Sequence, residues 1–130
     1  MIILTLRTDR PDASISLYDN EQRQAHITWE AHRQLTDMIH LKLQELVATA
    51  SRSLNDIQGI VIFRGPGSFT GLRIGVSVAN ALAYGLHIPI VGQQTESWEE
   101  VGIKRLLQGE SDAIVIPDYG SDPHITAPKK

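Results

Sequence analysis

The chain has 130 residues, 42% of them apolar and only 5% aromatic, which suits one largely aliphatic core and leaves little room for a second domain. Its formal charge of −3 argues against a general nucleic-acid binder, because phosphate contacts need a surplus of Lys and Arg. With no cysteine, disulfides, thiolate zinc sites and cysteine nucleophiles are excluded.

Ile2 to Leu6 reads as a short buried strand. The stretch Met1 to Leu6 is too short for a signal peptide and is followed by Arg7. No run approaches the ~18 apolar residues of a membrane span, so the expected compartment is the cytoplasm. Asp9-Arg10-Pro11-Asp12 is a turn, Ala13 to Tyr18 alternates as a second strand, and Asp19-Asn20-Glu21 turns into a third strand, Gln22 to Trp29. The period then changes: Leu35, Met38, Ile39, Leu43, Leu46, Val47 and Ala50 recur at helical spacing, predicting a helix over about 31–51. Ser53 to Asp56 is a linker. Ile60 to Phe63 is a continuous apolar run, as in a strand buried on both faces. A glycine turn follows, then a helix from Phe69 to Leu86, a strand over Ile88 to Val91, a helix from Ser97 to Leu107 and a last strand over Ala113 to Ile116. Residues 1–117 form one lobe, and 118–130 read as a polar, proline-bearing tail. The order predicts an α/β fold: a mixed sheet with an antiparallel meander, then alternating helices. It is compatible with a ribonuclease-H-like half of an actin-type fold.

Gly65, Gly67 and Gly71 mark a strand-to-helix junction where the backbone can approach closely. The unpaired N–H groups of the helix start can hold an anion, or Ser68 or Thr70 can cap them. No Lys follows Gly71 as in a P-loop, and the spacing carries one residue too many for the dinucleotide fingerprint. A structural turn, an anion or nucleotide contact and a partner contact all remain open. The helix beyond has two apolar stripes, Leu72, Ala79, Ala83 and Leu86 beside Ile74, Val78, Ala81 and Gly85, with Arg73 its only charge. A surface helix would have one clearly polar face, so this one is predicted to pack on two sides, against its sheet and against the first helix or another chain. His26, His32, His40, His87 and His124 show no metal-binding spacing, and no metal or cofactor is expected. Glu96, Glu99 and Glu100 suit the start of the third helix, and Trp29 and Trp98 read as packing residues.

The eleven residues Gly65-Pro66-Gly67-Ser68-Phe69-Thr70-Gly71-Leu72-Arg73-Ile74-Gly75 resemble the TsaB (YeaZ) family, required for threonylcarbamoyladenosine modification of tRNA. Ile3-Leu4, Ala13 to Asp19, His32, Leu54 to Ile60 and Ala83 to Gly92 extend the likeness over roughly residues 3–98. The resemblance implies an actin-like ATPase-superfamily fold. It also implies a non-catalytic scaffold role: binding and activating a TsaD-like catalytic subunit, with a TsaE-like ATPase in the larger complex, and tRNA met only indirectly. The implied pairing surface lies on the two long helices, at His32, Leu35, Ile39, Arg73, Ile74, Ser77, Val78 and Ala81. Homodimerisation through the same region is the alternative assembly. Two departures stand out. Where the family opens with Asp-Thr-Ser-Thr after the first strand, this chain reads Arg7-Thr8-Asp9-Arg10, and an Arg cannot ligate Mg²⁺. Relatives also continue into a second domain. A nucleotide-binding, ATPase-like domain using the Gly65–Gly71 turn is the rival reading, and both departures count against it.

Overall fold

The computed structural model describes residues 1–31 and 34–120. Five strands form one mixed sheet in the order β3-β2-β1-β4-β5: β1 (Ile2–Arg7), β2 (Asp12–Asp19), β3 (Gln22–Glu30), β4 (Gly59–Phe63) and β5 (Ile90–Gln93). The meander is antiparallel, with Leu4 opposite Leu17 and Ile15 opposite Ile27, and the register shifts between Leu17 and Tyr18. β1, β4 and β5 run parallel, with Leu4 beside Ile60 and Val61 beside Val91. Among the described residues three helices, α1 (Leu35–Thr49), α2 (Phe69–Leu86) and α3 (Trp98–Leu107), cover the two faces.

Strand alternation decides which helix covers which face. Ile2, Leu4 and Leu6 of β1, Ile15 and Leu17 of β2 and Ile60 and Ile62 of β4 point to one side, where they meet α1 and α2 in a single apolar cluster. Ile3, Val61, Phe63 and Val91 point to the other, where Trp98, Ile103 and Leu106 of α3 close a second cluster. β4 is therefore buried along its whole length, as its unbroken apolar run predicts. α1 has no side-chain cap at its N-terminus, so its stability comes from packing. Leu35, Ile39, Leu43, Leu46 and Val47 are buried at helical spacing, at about 1.5–3 kcal/mol for each large side chain.

Three expectations change. α1 starts at Leu35 rather than near Ala31, because Ala31 still belongs to the strand exit, its N–H donating to the Pro11 carbonyl (2.8 Å). The linker is a single 3-10 turn, Leu54–Asp56, closed by the Ser53 N–H donating to Asp56 Oδ2 (2.9 Å). The strand expected over Ala113 to Ile116 does not form. That segment is bound along the sheet edge by side chains instead of by a ladder. The Asn80 amide of α2 donates to the Val115 carbonyl and accepts from the Val115 N–H, both at 2.9 Å. Arg64 Nε donates to the Ile116 carbonyl (2.9 Å), and the Gly92 N–H of β5 donates to Asp112 Oδ2 (2.8 Å). Val115 is buried, while Ile114 and Ile116 on either side are exposed.

Candidate functional site

The glycine turn leaves β4 and enters α2, and its geometry is set by what lies beneath it. The loop after β1, Thr8-Asp9, is pressed into the turn. A side chain at Gly67 would lie 2.5 Å from the Asp9 Cβ, one at Gly71 would strike the Thr8 carbonyl, and one at Gly75 would strike the Thr8 hydroxyl. Thr8 Oγ1 donates to the Gly71 carbonyl (2.7 Å) and the Ser68 N–H donates to the Asp9 carbonyl (3.2 Å). Of the glycines in the turn and helix start, Gly65 alone has positive φ, at +116°, and a side chain there would strike the Asp118 carbonyl. The glycines are thus explained by close backbone approach within the chain. Neither Ser68 nor Thr70 caps the helix with its side chain: Ser68 is the N-cap residue and makes no side-chain cap bond. The Asp9 carboxylate is buried beside the turn and ion-paired to Arg7 Nε (2.7 Å). The Arg7 guanidinium also lies over the Phe63 ring, 3.8 Å from its centroid. The side of the turn that faces β1 is therefore filled by the chain's own residues, with the Asp9 carboxylate and the Arg7 guanidinium already paired there.

α2 has two faces of different use. Val76, Ala79 and Ala83 are buried in the cluster shared with the sheet and α1, Leu72 in the cluster on the α3 side, and Gly75 against Thr8. On the outer side Arg73, Ser77, Ala81 and Gly85 are exposed, and Ile74 and Val78 are half-buried, packed on the margin of the core. Of the interface residues expected from sequence, Arg73, Ser77 and Ala81 stand together on this face, with Ile74 and Val78 beside them. Leu35 and Ile39 do not: at 4% and 1% exposure they are core residues of α1, because the core stripe of that helix runs through them. His32 lies outside the described residues.

Sequence reasoning missed Thr8, Asp9, Asn80 and Tyr119. Tyr119, assigned to the tail, stacks on Phe69 with ring centroids 4.4 Å apart. Its neighbour Asp118 is also bound to the lobe, its N–H donating to the Arg64 carbonyl (2.7 Å) and its carboxylate accepting from Gln94 Nε2 (2.7 Å). The Gly120 N–H and then Gln94 hold the Asp118 carboxyl below the usual carboxylate range. Residues 121–130, with His124 and the Lys129-Lys130 end, lie outside the described residues.

At the C-terminal end of α2 an open groove of about 660 Å³ runs between Ala81, Tyr84 and His87 on one side and Pro89, Ala113 and Ile114 on the other. Tyr84 (83% exposed) and Ile114 (71%) form its rim. Across the sheet, a groove of about 590 Å³ beside α3 is lined by Tyr18, Glu21, Glu96, Glu99 and Glu100. There Glu99 accepts from Thr5 Oγ1 (2.7 Å), and burial, then the Glu99 charge, push the Tyr18 phenol up. Among the described residues no three His, Asp or Glu side chains are grouped to hold a metal ion, and no helix is long and apolar enough to cross a membrane.

The family model described as TsaD: tRNA N6-adenosine threonylcarbamoyltransferase matches residues 27–95. The chain is 34% identical over 113 residues to the tRNA threonylcarbamoyladenosine biosynthesis protein TsaB of Escherichia coli, covering 82% of this chain and 48% of that protein. It is 42% identical over 62 residues to the tRNA N6-adenosine threonylcarbamoyltransferase of Geotalea daltonii, covering 48% of this chain and 18% of that one. A Pseudomonas aeruginosa structure described as similar to peptidase YEAZ superposes with a TM-score of 0.67 at 28% identity, over 72% of this chain and 43% of that one. The chain thus spans about half the length of the TsaB protein it matches. The mixed sheet with its helices is the ribonuclease-H-like lobe of the actin-like superfamily. The chain belongs to the family of that model and is a member of the TsaB (YeaZ) family.

Proposed function

We propose that this chain is a non-catalytic subunit in threonylcarbamoyladenosine modification of tRNA, and that it binds and activates a TsaD-like partner through the outer face of α2. The observation that carries this reading is the helix itself. Its inner side is already buried, yet its outer side offers Ser77, Ala81 and Gly85 with half-buried Ile74 and Val78, small and neutral enough for a second helix to approach closely. The relatives' names supply the pathway, and TsaB and TsaD proteins both match the chain. A TsaE-like ATPase belongs to the larger assembly in this reading, and tRNA is met through the partner.

The filled glycine turn supports a structural role for the motif. It shapes and launches α2, while Arg7 and Asp9 neutralise each other where the family carries its Asp. The test is co-purification of the full chain with the TsaD-like protein of the same organism, followed by tRNA threonylcarbamoylation with and without the chain. Modification that is unchanged by omitting the chain refutes the role. Micromolar ATP binding by the chain alone would revive the nucleotide reading, and sedimentation of the chain alone would reveal self-association through the same face.

A further inference from the structure

Arg73 is the single charge of α2, and it stands where the helix disfavours a cation. Its guanidinium lies over Phe69, the first residue of the helix, 5.4 Å from the ring centroid, and so near the positive pole of the helix dipole. No acidic residue occupies that first turn, and among the described residues no carboxylate pairs with Arg73. The one carboxylate bound close to the glycine turn from the chain's last described segment, Asp118, is engaged by Gln94 and Gly120 instead.

The side chain is nevertheless held in place. Phe69 stacks on Tyr119, and Tyr119 packs against the α3 side of the core. A run of three side chains, Tyr119, Phe69 and Arg73, thus carries the guanidinium from the core to the surface. Stacking spends part of the rotamer freedom an exposed Arg would otherwise lose on binding. Around it Thr70, Ser77 and Ala81 are exposed and neutral.

We propose, resting on the partner-binding role above, that Arg73 is the specificity contact of this face: a pre-positioned guanidinium that pairs with a carboxylate carried on a helix of the TsaD-like partner. Charge complementarity selects that occupant. The cation has no counter-charge among the described residues, and its small neutral neighbours admit a helix at close range. An RNA backbone would need several cations, and α2 offers one. A planar guanidinium meets a carboxylate with two parallel N–H bonds, which fixes orientation as well as adding affinity. Such a pair sets partner choice and register more than total affinity.

The experiment is calorimetric titration of the full chain with the TsaD-like protein of the same organism, at low and at high salt. Arg73→Ala weakens binding about tenfold or more at low salt and flattens the salt dependence, and Arg73→Glu weakens it further. Arg73→Lys falls between wild type and Arg73→Ala, since it keeps the charge but loses the planar fork. Thermal melts of Arg73→Ala and Arg73→Lys match wild type, because the side chain is exposed, and that of Arg73→Glu is no lower, because an acid suits this end of the helix. Arg73→Ala binding within about twofold of wild type, while Ala81→Arg abolishes binding, overturns the anchor and leaves the partner role standing. A salt dependence unchanged in Arg73→Ala overturns the charge pairing. Loss of tRNA binding with protein binding intact assigns the guanidinium to phosphate and also overturns it. Failure of the wild-type chain to bind the partner removes the role and the anchor together.

Discussion

Gly75→Ala sets helix propensity against tertiary contact at one atom. Alanine is the better helix former by about 1 kcal/mol, so propensity alone predicts stabilisation. In the fold a methyl group at Gly75 falls on the Thr8 hydroxyl and lies 3.0 Å from both its Cβ and Cγ2. Thr8 is only 2% exposed and donates to the Gly71 carbonyl, so it cannot swing away without leaving that acceptor short of its partner. Overpacking of this kind costs about 1–3 kcal/mol and the lost hydrogen bond about 1 kcal/mol more. The net effect is a loss of about 1–3 kcal/mol, and at the middle of that range a melting temperature lower by roughly 6–10 °C. Gly85 in the same helix is the internal control, because a side chain there meets nothing within 4 Å. Gly85→Ala is therefore expected to stabilise by about 0.5–1 kcal/mol. Urea unfolding followed by far-ultraviolet circular dichroism measures both, with unchanged slopes confirming comparable unfolding. Adding Thr8→Ala to Gly75→Ala removes the obstructing atoms and recovers part of the loss, a coupling of about 1–2 kcal/mol. If Gly75→Ala and Gly85→Ala shift stability in the same direction, the packing account of the glycine motif is wrong.

Ala81→Arg is expected to abolish co-purification with a TsaD-like partner while stability stays within about 0.5 kcal/mol, as for other exposed substitutions. Val78→Asp is the poorer probe, since Val78 packs on the core margin and its loss mixes unfolding with lost binding. Asp112→Asn tests the edge clamp through pH. Arg105 above all, helped by the Gly92 N–H, holds the Asp112 carboxyl below its ordinary value. A depressed folded-state value means the contribution is present above the ordinary carboxylate range and is lost as pH falls through the lowered value. Wild type should therefore exceed Asp112→Asn by about 1 kcal/mol at neutral pH, with the gap closing below about pH 4; a gap independent of pH would contradict the ion-pair explanation. Asn80→Ala removes both bonds to Val115 and is expected to cost about 1–3 kcal/mol. Hydrogen exchange should then quicken at Val115, and unchanged protection there would show that the segment is held by other contacts.

Those last two substitutions bear on how one class of structure escapes a sequence reading. Ala-Ile-Val-Ile at 113–116 has the composition of a strand, and one of its residues is buried as a strand residue would be. What it lacks is a backbone partner. Asp112 takes the Gly92 N–H, and Asn80 takes both backbone groups of Val115. Side chains distant in sequence thereby replace a sheet ladder, and local propensity contains no trace of them.

Periodicity and punctuation alone determined much of this protein. The helix over Phe69 to Leu86 is bounded as its sequence predicts, because the glycine turn starts it and an unbroken run of helix-compatible residues carries it to His87, which takes the left-handed cap conformation. The antiparallel meander, the doubly buried β4 and the eleven-residue likeness to TsaB were legible for the same reason: each is written in consecutive residues. Facing and contact were decided by the tertiary structure. Leu35 and Ile39 share a helix with surface residues, and only packing on β2 and β3 assigns them to the core. The glycine motif by itself leaves a structural turn, an anion contact and a partner contact open, and only the fold packs the Thr8-Asp9 loop against it, a contact between segments some sixty residues apart in the chain. Arg73 shows the same division. Its charge is in the sequence, but its isolation from every described carboxylate and its seat on Phe69 and Tyr119 exist only in three dimensions, where stacking and unmet charge first become visible.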